Sequence, residues 1–174
     1  MKRSFRTLLA ATTFLATLAQ ANAGNGNFAL NGGLINFTAP SEWPVIMQMS
    51  EGNPQVIAFQ VKDPADTGTG EASRVSVTTR KIDDAQAFQQ FVNTSLEKAR
   101  QTPGYEHQTK SDSNTLRYTG LNAKTKYAYR ENYFYKNGVA VQLRCVHPLL
   151  KETTSAWLNA FEQGCDQIAT SLQK

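Results

Sequence analysis

The stretch from Lys124 to Pro148 constrains the fold most. Two β-rich runs, KTKYAYRENYFY and VAVQLRCVHP, flank Lys136-Asn137-Gly138. An Asn-Gly pair between such runs specifies a two-residue type I′ hairpin, because both central residues need positive φ. The loop length fixes the register. Lys136 then faces Val139, Phe134 faces Val141, Asn132 faces Leu143 and Arg130 faces Cys145. On the opposite face Tyr135 meets Ala140, Tyr133 meets Gln142, Glu131 meets Arg144 and Tyr129 meets Val146. The Glu131–Arg144 match supports this register, since opposite charges across a ladder are favourable.

The N-terminus reads as a targeting segment. Lys2, Arg3 and Arg6 precede an apolar run from Leu8 to Ala19, and Ala21-Asn22-Ala23 is a small-x-small cleavage site. This predicts a signal peptide over residues 1–23, and hence a periplasmic or secreted protein. The apolar run is too short for a stable membrane anchor, and no second stretch is long enough to span. The mature chain, Gly24–Lys174, has a length that suits one domain with a real core. Removing three of the 18 Lys/Arg leaves 15 against 14 Asp/Glu, a net charge of +1. The basic balance belongs largely to the leader, and no Lys/Arg cluster argues for nucleic acid or an acidic membrane surface.

The chain carries two cysteines. In an exported protein they predict a disulfide, Cys145–Cys165. Cys145 shares a strand face with Val141 and Leu143, and Cys165 lies on the apolar face of the last helix. The rival reading, a Cys145 nucleophile with His107 or His147, needs a reduced thiol in an oxidising compartment.

Residues 24–33 are Gly/Asn-rich and read as a flexible lead-in, with one domain over 34–174. Strands are expected at 34–38, 45–49, 55–61, 73–80 and 115–121, with a short edge strand at 105–110. Trp43 follows Pro40 in a turn and is placed at one end of the core. Asp83-Asp84 opens a helix to about Arg100, with Ala85, Phe88, Phe91, Val92, Leu96 and Ala99 as its apolar stripe. A final helix spans about 152–173, capped by Thr153, Thr154 or Ser155. Gly164 in its middle costs roughly 1 kcal/mol against Ala and suggests a close approach to the sheet beside Cys165. The fold class expected is α+β: a mainly antiparallel sheet with a mid-chain and a C-terminal helix packed on it.

Residues 35–43 (INFTAPSEW, a strand leading into Pro-x-x-Trp), the paired strands over 45–61, the mid-chain helix, the long hairpin and the C-terminal helix together resemble the PsbP-like family. The resemblance covers most of the mature chain. It implies a non-enzymatic protein, since that family includes photosystem assembly subunits, nuclear transport cofactors, bacterial envelope proteins and adaptors for secreted toxins. It implies no catalytic set.

Tyr127, Tyr129, Tyr133 and Tyr135 fall on one strand face with Glu131 and Arg144. These six residues are the candidate binding surface, because tyrosine joins apolar area to a polar tip. The competing reading is that a helix covers this face. Asp63, Asp66 and Glu71 share a loop, but not at EF-hand spacing. Gly68 and Gly70 lack the Lys-Ser/Thr of a phosphate loop. His107 and His147 have no zinc spacing, and there is no Gly-x-Ser-x-Gly elbow. Glu131 beside Glu106 or Asp112 would be needed for an acid/base pair. The sequons at Asn36 and Asn93 are discounted. No cofactor and no metal are expected. The function expected is an exported, non-enzymatic envelope protein acting by contact with another protein. Its alternatives are an immunity protein against a secreted effector, a small hydrolase, or a ligand-binding domain.

Overall fold

The structure is a computed structural model and describes residues 25–68, 72–108 and 115–174. The expected signal peptide lies outside the described residues, as do Gly70, Glu71 and Asp112. Among the described residues nine strands and two long helices follow in order: β1 (Asn25–Leu30), β2 (Ile35–Pro40), β3 (Val45–Met49), β4 (Gln55–Gln60), β5 (Arg74–Lys81), α1 (Ala85–Arg100), β6 (Glu106–His107), β7 (Thr115–Asn122), β8 (Thr125–Lys136), β9 (Val139–Pro148) and α2 (Ser155–Gln173). Seven strands form one sheet in the order β3-β4-β5-β9-β8-β7-β6, antiparallel throughout, while β1 and β2 form a separate pair. This is the α+β class read from the sequence.

The β8–β9 hairpin holds the expected register at every pair, from Lys136↔Val139 to Tyr129↔Val146. Its turn places Asn137 at φ 54° and Gly138 at φ 71°, the left-handed values that favour Asn and Gly. With β5 on one side and β7 on the other, the hairpin is the centre of the sheet.

Alternation along β8 and β9 sends side chains to two different helices. Val141, Leu143 and Cys145 face α2, where they are buried with Phe161, Cys165 and Ile168. The Cys145–Cys165 disulfide is formed, across a Cα–Cα distance of 6.6 Å. Tyr127, Tyr129 and Val146 face the other way, into a smaller cluster with Tyr118 and Ala99 of α1.

Arg130 and Asn132 interrupt the α2 side of β8. Arg130 is 7% exposed. Its guanidinium pairs with Glu162 at 3.0 Å and Asp166 at 2.6 Å, both on α2. Arg117 reaches the same Glu162 at 2.9 Å. Burial pushes the Glu162 carboxyl up, but the two guanidiniums outweigh it and hold it below its ordinary value. Asn132 donates to Thr115 at 2.6 Å. A buried cation survives here because the helix brings its own carboxylates.

The expectation of a flexible lead-in over residues 24–33 is corrected. Residues 25–30 form β1, paired with β2. Phe28 stacks on Phe37 at 5.4 Å and meets Phe59 edge-on at 5.0 Å, and Leu30 is 1% exposed. Two large apolar side chains at strand spacing outweigh the Gly/Asn composition around them. The glycines serve the turn that follows, where Gly32 and Gly33 take φ of 67° and 87°.

Both helices start where capping chemistry puts them. Asp84 accepts from the Ala87 amide and Thr154 from the Trp157 amide. Gly164 packs against the Trp43 ring, with Pro40 Cγ 3.1 Å from where a Cβ would sit. The close approach expected at Gly164 is therefore made to Pro40 at the end of β2 and to Trp43 in the turn after it, not to the large sheet beside Cys165. Trp43 is 8% exposed beneath it.

Candidate functional site

The tyrosine row on β8 comes first. Helix α1 lies over it: Phe88 stacks on Tyr135 at 5.5 Å and Phe91 meets Tyr133 edge-on at 6.2 Å. Tyr127, Tyr129 and Tyr133 are 2%, 9% and 7% exposed, while Tyr135 is 40% exposed. Three of the four expected contact tyrosines thus lie under the helix, whose own aromatic stripe demands an apolar surface to cover.

Glu131 sits at the centre of this row, 3% exposed. Its carboxylate accepts from Tyr118 Oη at 3.0 Å, from Tyr133 Oη in a very short contact, and from Gln142 Nε2 at 2.9 Å. Arg144 Nε lies 3.2 Å from Glu131 Oε1. The Arg144 guanidinium stands over the Tyr129 ring at 5.2 Å, a cation–π placement. Burial, then the Glu131 charge, drives the Tyr118 and Tyr133 hydroxyls well above the ordinary phenol range. Both oxygens of Glu131 are taken by fixed donors, so its chemistry here is to anchor the hydroxyls beneath α1. Glu106, the other carboxylate considered with it, instead pairs with Lys126 at 2.7 Å.

The remaining candidates have structural partners. Asp63 accepts from Thr153 Oγ1 at 2.5 Å and from the Ala65 amide at 2.9 Å, which ties its loop to the start of α2. His147 lies edge-on to Trp157 and Phe161 at 5.8 and 5.3 Å, and Cys145 is spent in the disulfide. Among the described residues no group of three His, Cys, Asp or Glu is placed to hold a metal. No described helix is long and apolar enough to cross a membrane.

Helix α1 covers only part of its face of the sheet. Beside it runs an open flank floored by β5 and β9. A hollow of about 340 Å³ there is lined by Arg80, Lys98, Phe91, Glu131, Gln142 and Arg144 among others. A second hollow of about 230 Å³ is lined by Ile46, Met47, Val56, Ala58, Arg74 and Arg144 among others, and the two share Arg144. Strand β3 borders the second hollow and ends the sheet. Ile46, Met47 and Met49 are 53%, 56% and 44% exposed. Sequence reasoning missed Arg80, Lys98 and the β3 apolar residues, because they come from separate elements and form no run. The one available signal was β3 itself, Val-Ile-Met-Gln-Met, which shows no polar alternation.

A seven-stranded antiparallel sheet with a helix on each face and a small β-pair beside α2 defines an α+β domain. No family model and no curated protein matches this chain. Among solved structures, the Saccharomyces cerevisiae Ran-binding protein Mog1p is similar over 86% of this chain and 95% of its own, with a TM-score of 0.52 and 16% identity. A Mog1 point mutant is similar over 85% and 94%, with a TM-score of 0.51 and 16% identity. A Pseudomonas aeruginosa protein of unknown function is similar over 85% and 95%, at 0.49 and 18%. These comparisons correct the family expectation. No family model supports membership of the PsbP-like family as an exported member, and the likeness is one of fold, to Mog1.

Proposed function

We propose that this chain is a non-enzymatic protein-binding domain of the cell envelope, exported by its N-terminal segment, and that it works through the flank beside α1. The observation that carries the reading is the exposure of Ile46, Met47 and Met49 on the end strand β3, next to the hollow that holds Arg80 and Lys98. Contiguous apolar exposure rimmed by polar groups is what contact surfaces present. Mog1p, of the same fold, is named for binding a protein. The disulfide suits an oxidising compartment. Of the six residues expected to bind, Arg144 belongs to the proposed contact surface, while Tyr135 stacks on Phe88 of α1 and lines neither hollow. Tyr127, Tyr129, Tyr133 and Glu131 hold the helix that frames it.

The test uses the mature chain, residues 24–174, as bait in envelope extract, beside Met47→Asp. At 56% exposure this substitution costs less than about 0.5 kcal/mol of stability. The expected result is one stoichiometric protein retained by the native chain and lost by Met47→Asp, with unchanged thermal unfolding. A partner held equally by both, or none at stoichiometric yield, rejects the reading.

A further inference from the structure

The flank has a charge that the net charge of the chain conceals. Arg80 and Lys98 are both exposed, and neither side chain has a hydrogen-bond or ion-pair partner among the described residues. They line the same hollow as Arg144. The carboxylate lining that hollow is Glu131, buried and consumed by Tyr118, Tyr133 and Gln142. Arg144 is itself incompletely used. Its Nε is close to Glu131 but makes no aligned hydrogen bond, Nη2 is a long 3.5 Å from Tyr118 Oη, and the side chain is 43% exposed. Three guanidinium or ammonium groups therefore face one opening with donors to spare, and a guanidinium is built for bidentate carboxylate contact.

From this we infer that the flank binds an extended acidic segment of the partner protein that also carries a large apolar residue. Carboxylates meet Arg80, Lys98 and Arg144, and the apolar residue meets Ile46 and Met47. The inference rests on the binding reading above and names the chemistry of the partner. An extended segment fits for two reasons. The cationic and apolar hollows lie side by side and join at Arg144, so a linear ligand reaches both. Among the described residues no strand lies on the outer side of β3, so a passing backbone finds edge groups there. A free phosphate would leave the apolar hollow unused. A lipid surface is flat, whereas Glu131 and the base of Arg144 form a recessed floor.

Displayed libraries of short random peptides are selected on the mature chain, and an enriched peptide is titrated by fluorescence anisotropy. The titrations use the native chain, Arg80→Glu/Lys98→Glu and Met47→Asp, with phosphatidylglycerol vesicles as a parallel probe. The expected result is enrichment of Asp/Glu-rich peptides with an aromatic or aliphatic residue. Affinity falls about a hundredfold on the double charge reversal and about tenfold on Met47→Asp, and weakens further with salt. Enriched peptides that are neutral or basic, acidic peptides held equally by the charge-reversed chain, or vesicle binding without peptide binding would each overturn it. Neutral peptides lost on Met47→Asp would remove the acidic chemistry while leaving the binding reading intact. An envelope partner that survives both variants would remove the binding reading itself.

Discussion

Replacing Gly164 by Ala separates helix propensity from packing, because the two predict opposite signs. In an exposed helix the change stabilises by about 1 kcal/mol. Here the new methyl would enter the space of the Trp43 ring and lie 3.1 Å from Pro40 Cγ. Trp43 has little room to retreat, since it is 8% exposed and its ring lies 6.0 Å from Phe161. Overpacking of this kind costs about 1–3 kcal/mol. Set against the propensity gain, the net expectation is a loss of up to about 2 kcal/mol, or up to about 8 °C in Tm for a domain of this size. Urea unfolding followed by circular dichroism should show a lower midpoint with an unchanged slope. The ring atoms concerned are the far edge of the indole, so Trp43→Phe should relieve the clash. In that background Gly164→Ala should become neutral or stabilising. A stabilised single variant, or the same loss in both backgrounds, would refute the packing argument.

Two further outcomes follow from the same structure. Replacing Cys145 and Cys165 by Ala should cost about 3 kcal/mol, from the 20-residue separation that the link closes, and dithiothreitol should lower the urea midpoint of the native chain comparably. The Tyr118 and Tyr133 hydroxyls are held above their ordinary value of 10.0 in the folded chain. Their contribution to stability is therefore complete below pH 10 and lost as pH rises above it. Phenolate absorbance should show the Tyr118 and Tyr133 hydroxyls ionising only as the chain unfolds, and Tyr133→Phe should flatten the alkaline loss of stability.

The open flank had no signature in the chain. Arg80 lies near the end of β5, Lys98 lies on α1, Arg144 is in β9 and Met47 is in β3. Each is ordinary in its own segment, and only the order β3-β4-β5-β9 with α1 above brings them together. A net charge near zero hid the cluster because the acidic residues that balance it lie elsewhere, as Glu162 and Asp166 do beside Arg130. The tyrosine face shows the reverse case. Its composition was plain in the sequence, but whether it met solvent or α1 depended on where a helix that ends at Arg100, well before β8, came to rest.

By itself the sequence determined the α+β class, the β8–β9 register, the start of α1 and the disulfide pairing, and it narrowed the cap of α2 to three neighbouring residues. These depend on interactions within a turn, along one helix or across one hairpin, where residue type and spacing are enough. The structure alone decided that Gly/Asn-rich residues 25–30 would be a core-bound strand, that Arg130 would find carboxylates on α2, and that α1 would cover the tyrosines and leave β3 bare. Those outcomes depend on which faces of distant segments share one interior, and periodicity marks a face as apolar without naming what covers it.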